Sequence, residues 1–97
     1  MLYKKEPFFR KLVMKMESRI GIIGITISNF NSVSTVNEIL HEFSKIIVGR
    51  MGLPYREKNI SIISIIVDGT NDEISAMTGR IGNIKDVNVK SMLTKNP

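Results

Sequence analysis

Two isoleucine-rich segments constrain the fold of this 97-residue chain more than any other feature of its sequence. Residues 19–27 are RIGIIGITI, and residues 60–68 are ISIISIIVD. β-Branched residues favour strands, and side chains alternate between the two faces of a strand. In both segments apolar side chains fall on both sets of alternating positions. Each segment therefore predicts a strand that is apolar on its two faces.

Each of these strands is followed by a helix signal. The pattern T-x-x-E occurs at Thr35–Glu38 and again at Thr70–Glu73, and both copies precede apolar residues at helical spacing. This pattern is typical of a capping box, in which the first and fourth residues satisfy each other's backbone N–H groups. The spacing predicts a first helix that ends near Lys45 or Ile46. It predicts a second helix with Gly82 as its C-cap.

Two further segments complete the order of elements. Residues 46–55, IIVGRMGLPY, predict a short, irregular strand, and Pro54 suits an edge position or a strand end. Residues 87–95, VNVKSMLTK, alternate in polarity and predict a half-buried strand. The order β-α-β-β-α-β predicts an α+β fold, the ferredoxin-like sandwich. In that sandwich a four-stranded antiparallel sheet carries two helices on one face, with the first and third strands in the middle.

The second face of this sheet predicts assembly. Helices cover one face, but isoleucines of the first and third strands point to both. Burying four or five of them is worth on the order of 10 kcal/mol gross, at about 25 cal/mol per Å² and roughly 100 Å² each. We therefore expect a homo-oligomer, a dimer or tetramer, that hides this face. The alternative is that an N-terminal helix of the same chain covers it.

The positive charge lies mostly outside the predicted fold. The net charge is +5, and five of the 14 lysines and arginines fall within residues 1–15. We interpret residues 1–15 as a flexible basic leader, or as residues upstream of a natural start at Met14 or Met16, and residues 16–97 as the domain. The domain lacks the concentrated basic face that phosphate backbones require, so DNA binding by this chain alone is not expected.

Neither a membrane partner nor a disulfide framework is indicated. The chain has no cysteine, and its apolar runs are far shorter than the roughly 20 residues that span a bilayer. We expect a cytoplasmic protein.

Catalytic and metal-binding patterns are also missing from the sequence. The one histidine, His41, follows Glu38 by three residues, and two ligands without a third make a poor metal site. No serine has a neighbouring histidine, and no glycine-rich loop opens a helix. The sequence predicts no enzyme, no metal and no cofactor.

Two groups of polar residues are candidate binding sites. The loop between the first strand and the first helix carries side chains that could bind a small anionic or polar ligand at a helix N-terminus: Asn29, Asn31, Ser32 and Ser34. The alternative is a solvated loop with Ser34 or Thr35 as helix cap. The hairpin between the second and third strands carries basic residues that a dimer could gather into a rim: Arg50, Arg56 and Lys58. The alternative is that they are solvated charges.

Four motifs resemble those of the iron-only hydrogenase system regulators. The patterns are N-x-x-L-H-x-F-S at Asn37–Ser44, G-x-P-x-R-E-x-N at Gly52–Asn59, N-D-x-I-x-A-x-[ST]-G-[KR]-[IL]-G at Asn71–Gly82 and V-x-V-K at Val87–Lys90. The match spans roughly residues 19–95. The family is similar to ACT-type regulatory domains and to the C-terminal domain of nickel-responsive repressors. The resemblance thus implies the ferredoxin-like fold, dimers or tetramers, ligands at subunit interfaces and a role in transcription.

This chain departs from those relatives at their ligand sites. The repressors hold nickel with histidines and a cysteine, whereas this chain has one histidine and no cysteine. The loop after the first strand is SNFNSVS, without the acidic residue and Pro-Gly pair usual in ACT amino-acid sites. Our leading hypothesis is a stand-alone sensor or adaptor domain that acts on transcription or hydrogenase maturation. The alternatives are a DNA-binding regulator with basic N-terminal arms and a non-catalytic scaffold subunit.

Overall fold

The computed structural model describes residues 18–94. The strands and helices follow one another in the predicted order β-α-β-β-α-β, and 3-10 turns occupy three of the connections. The elements are β1 (Arg19–Ile27), α1 (Val33–Glu42), β2 (Ile47–Tyr55), β3 (Ile60–Gly69), α2 (Asn71–Gly82) and β4 (Val87–Leu93).

The strands form one antiparallel sheet in the order β2-β3-β1-β4. The two isoleucine-rich strands pair with each other along their whole length, from Arg19 opposite Gly69 to Ile27 opposite Ser61. Both helices pack on the same face of the sheet, where they share one apolar cluster with β1 and β3. The predicted ferredoxin-like α+β sandwich is confirmed.

The core lies between the helices and one set of alternating strand residues. The inward-facing residues of β1 and β3 are buried: Ile23, Ile25, Ile27, Ile63, Ile65 and Val67. From the helices, the cluster receives Val36, Ile39, Leu40, Ile74, Met77 and Ile81. Gly21 lies on the same inward side, and a Cβ there would come within 2.5 Å of Leu93 Cδ2. A larger residue at position 21 would therefore push the last residue of β4 out of place.

Helix α2 begins as the sequence predicts and ends differently. Thr70 Oγ1 accepts from the Glu73 backbone N–H at 3.1 Å, and Glu73 Oε1 accepts from the Thr70 N–H at 2.9 Å. The capping box is therefore confirmed. Gly82 is the last residue of the helix and Asn83, in the right-handed helical region, is the C-cap. The prediction of Gly82 as C-cap was wrong, because the chain continues here without the left-handed residue that favours glycine.

Helix α1 differs from its prediction at both ends. It begins at Val33, because a 3-10 turn at Phe30–Ser32 runs directly into it and starts the helical backbone early. Thr35 lies inside the first turn, so the predicted capping box with Glu38 is wrong. The helix ends at Glu42, and a second 3-10 turn brings Ile46 into the core. The predicted end at Lys45 or Ile46 is therefore also wrong.

Strand β2 is an edge strand of nine residues that occupies the predicted segment except for Ile46. Its pairing with β3 shifts between Ile47 and Gly49, which marks a β-bulge. Pro54 lies near its end, as the sequence predicts, where a missing N–H costs little. From residue 50 onward every β2 side chain is exposed.

One ion pair joins the two helices. Arg80 of α2 donates to both carboxylate oxygens of Glu42 in α1, at 2.7 and 3.0 Å. Its guanidinium also lies 5.8 Å from the centre of the Phe43 ring. The hydrogen bond from Arg80 lowers the pKa of Glu42 below its ordinary value. Glu42 therefore stays ionised, and paired, to lower pH than a free glutamate would.

The two T-x-x-E sites give a direct test of the helix starts. We expect Thr70→Ala to lower the free energy of unfolding by about 1 kcal/mol, because it removes the acceptor for the Glu73 N–H. Thr35→Ala, the matched control inside α1, should change it by less than about 0.5 kcal/mol. Urea denaturation at one fixed protein concentration measures both. Equal losses in the two variants would contradict the assigned start of α1.

Candidate functional site

The face of the sheet opposite the helices, which we call the open face, is largely apolar. Strand alternation and register place nine apolar side chains there, together with the polar Thr26, Ser64 and Asn88: Ile20, Ile22, Met51, Leu53, Tyr55, Ile60, Ile62, Ile66 and Met92. Ile20 is 52% exposed, Ile22 46% and Met92 62%. The predicted second apolar face is therefore present within the described part of the chain.

A shallow depression crosses the middle of the open face. Ser64 lies opposite Gly24 on β1 and opposite Met51 on β2, so two small residues occupy the centre of one cross-strand row. A Cβ built at Gly24 would have no heavy atom within 4 Å. A cavity of about 240 Å³ opens beside this row, lined partly by Gly49 and Ile66. The adjacent row, Ile66–Ile22–Met92, forms an apolar ridge next to the depression.

The open face carries little charge. Within the four strands, alternation brings Asp68 of β3 and Lys90 of β4 to this side, near its margins. Arg50 has the opposite orientation, because it pairs with the inward-facing Ile65. A low-charge apolar surface with opposite charges near its margins is suited to bind protein surface rather than nucleic acid.

The predicted loop site is tied to the connection before β4. Ser28 donates its backbone N–H and Oγ to the Asp86 carbonyl, and Ser32 Oγ donates to the Lys85 carbonyl at 3.4 Å. Asn29 Oδ1 accepts from the Asn31 N–H at 3.0 Å and so caps the 3-10 turn.

Of the other predicted loop residues, Ser34 is exposed in the first turn of α1, and the cavities described here are lined by none of the four. The geometry gives Asn29 and Ser32 structural partners, and ligand binding by this loop stays a prediction.

A substitution at Asn29 tests this structural role. We expect Asn29→Ala to lower the free energy of unfolding by about 1 kcal/mol, because the Asn31 N–H loses its acceptor. Asn31→Ala keeps that N–H and should cost less than about 0.5 kcal/mol. Thermal or urea unfolding compares the two asparagine variants. A cost for Asn31→Ala equal to that for Asn29→Ala would show that the cap does not stabilise the loop.

The predicted basic rim does not form within one chain. Arg50 lies on the helix side of β2, whereas Arg56 and Lys58 lie in the 3-10 turn after that strand. At about 3.3 Å per residue, Arg56 is roughly 20 Å further along the chain than Arg50. That a dimer brings these three residues together into a basic rim stays a prediction.

A second concave site lies on the helix side of the edge strand. This site, which we call the edge cavity, has a volume of about 340 Å³ and is lined by Asn37, Leu40, His41, Ser44, Ile47 and Arg50. Arg50 Nη2 donates to Asn37 Oδ1 at 2.8 Å across its rim. Sequence reasoning considered His41 only as a metal ligand and placed Arg50 in a basic rim on the hairpin. The signal it missed is the N-x-x-L-H-x-F-S motif, whose spacing aligns Asn37, Leu40, His41 and Ser44.

Neither a metal-binding cluster nor a membrane-spanning helix occurs among the described residues. Residues 18–94 contain no group of three or more His, Cys, Asp or Glu side chains that could hold a metal ion. Within the same range no helix is both long and apolar enough to cross a membrane.

The family model described as "TM1266-like: Iron-only hydrogenase system regulator, putative" matches residues 19–91. No curated protein matches the chain. The matched range includes both helices, the edge cavity and all four strands except the last two residues of β4, so it covers the open face apart from Met92.

Two solved structures place the fold among known ones. The uncharacterised protein TM1266 from Thermotoga maritima is 39% identical, with a TM-score of 0.78, and the alignment covers 81% of this chain and 100% of that one. An unknown protein from Galdieria sulphuraria is 10% identical, with a TM-score of 0.56, over 81% of this chain and 46% of that one. The second likeness concerns the fold alone.

Proposed function

Since the chain belongs to the iron-only hydrogenase system regulator family, we propose that it is a non-catalytic regulatory domain that acts as a homodimer through its open face. Its role is that of a sensor or adaptor in control of the iron-only hydrogenase system. The single observation that supports this proposal most strongly is the exposure of Ile20, Ile22 and Ile66 beside Met92 on one sheet face.

The apolar burial and the area of such a contact support a dimer. Burying four or five of these side chains is worth on the order of 10 kcal/mol gross at about 25 cal/mol per Å². Association itself costs an amount of similar order, so the net affinity is smaller. Four strands about 4.8 Å apart and about 30 Å long give each face roughly 570 Å². Two such faces exceed the roughly 1,000 Å² expected of a biological interface.

The shape of the open face, a ridge beside a depression, is complementary to the same face of a second copy of the chain. Neighbouring rows on one face are about 6.8 Å apart, and stacked sheets lie about 10 Å apart. A twofold axis can therefore set the Ile66–Ile22–Met92 ridge of each copy over the Ser64–Gly24 depression of the other. Such a contact is isologous, as most homodimer interfaces are.

A charged residue at the centre of the ridge tests the interface. We expect Ile22→Glu to convert the dimer to a monomer, because an unpaired carboxylate would have to be buried between the two sheets. Sedimentation equilibrium over a range of protein concentrations measures the mass. Because Ile22 is about half exposed and outside the core cluster, the variant should keep the wild-type far-UV circular dichroism.

The matched control adds the same charge on the helix side. Ser75→Glu, at an exposed position of α2, should leave the mass unchanged. A wild-type chain that sediments as a monomer at every concentration would overturn the proposed homodimer. An Ile22→Glu variant that remains dimeric would place the interface on another surface.

A further inference from the structure

We propose that the edge cavity is a binding site for a small organic anion, a molecule with a carboxylate or phosphate group and a short apolar body. The inference adds a ligand class to the proposed regulatory function. It uses the helix side of β2, whereas the homodimer proposed above uses the open face, so the two proposals fail independently.

The first step is the alignment of one stripe of α1 with the edge strand. Asn37, Leu40 and His41 recur at i, i+3 and i+4, which places them on one side of a helix. Ser44 follows at i+7, in the 3-10 turn after the helix, and lines the same cavity. The motif singled out in the sequence therefore supplies four of the six lining residues.

The second step is the orientation of Arg50. Asn37 Oδ1 accepts one of the five N–H donors of its guanidinium, at 2.8 Å, and holds the group at the cavity rim. Guanidinium groups match the geometry of carboxylate and phosphate oxygens with two parallel donors. The Asn37 amide, the Ser44 hydroxyl and the His41 imidazole can supply further hydrogen-bond donors around the same space.

The third step concerns nearby negative charge. Glu38 and Glu42 also lie on α1, and neither lines the cavity. At about 100° per residue Glu42 is turned away from the stripe, and Arg80 engages both of its carboxylate oxygens. Glu38 lies beside His41, three residues before it, but it makes no ion pair with Arg50. Among residues 18–94 the Arg50 guanidinium therefore has no carboxylate partner, which leaves its charge for a ligand.

The fourth step is the size and floor of the cavity. Leu40 is buried and Ile47 is half-buried, and both lie among the polar lining residues. A volume of about 340 Å³ is at the small end of the range for small-molecule sites. An apolar floor below a few convergent polar groups favours an anion that carries a short hydrocarbon part over a bare inorganic ion.

Titrations of the ¹⁵N-labelled full chain test the site, with sodium butyrate and inorganic phosphate as the two probes. We expect butyrate to shift the amide signals of Asn37, His41, Ser44 and Arg50 along a saturating curve. A response to butyrate alone assigns a carboxylate ligand with an apolar body. A stronger response to phosphate assigns a phosphate head group.

Two charge-removing variants separate this site from general charge attraction. Arg50→Gln should weaken binding by about tenfold or more, because a charge-assisted hydrogen bond is lost. Lys85→Gln removes the same charge from an exposed side chain in the turn before β4 and should leave the dissociation constant unchanged. Non-saturating shifts with both probes, or equal weakening by the two variants, would overturn the proposal.

Discussion

A sheet of four strands that carries two helices has one covered face and one uncovered face, and this constraint governs the whole molecule. The central strands β1 and β3 place isoleucine on both faces. On the covered side these residues build the core with α1 and α2, and on the other side they leave Ile20, Ile22 and Ile66 in contact with water. Because apolar surface of this extent is costly in water, this face is the one through which we propose that two chains associate.

The edge strand β2 connects the two surfaces described here. Because successive side chains of a strand point to opposite faces, Arg50 points toward α1 and the neighbouring Met51 points toward the open face. One side of the strand therefore borders the edge cavity, and the other borders the open face. The proposed ligand site and the proposed assembly surface are thus separated by the thickness of a single strand.

The strands and the overall order could be predicted because their signals are local and repeat every two residues. The capping box at Thr70 was predicted for the same reason, but the identical pattern at Thr35 was misleading, because Asn29 starts a 3-10 turn that begins the helix early. The loop after β1 donates hydrogen bonds to the carbonyls of Lys85 and Asp86, which are more than 50 residues away in the sequence. Local sequence patterns cannot predict such distant partners. The edge cavity likewise needs the position of α1 relative to β2, which only the tertiary structure supplies.

The proposed homodimer rests on the packing of two open faces, and intermolecular methyl contacts test it most directly. A dimer prepared from equal parts of a ¹³C-methyl-labelled chain and an unlabelled, protonated chain reports only contacts between copies in an isotope-filtered NOE experiment. We expect such contacts for the methyl groups of Ile22, Ile66 and Met92, on the ridge of the open face. Contacts confined to residues of α1 or α2, or the absence of any contact between copies, would contradict it.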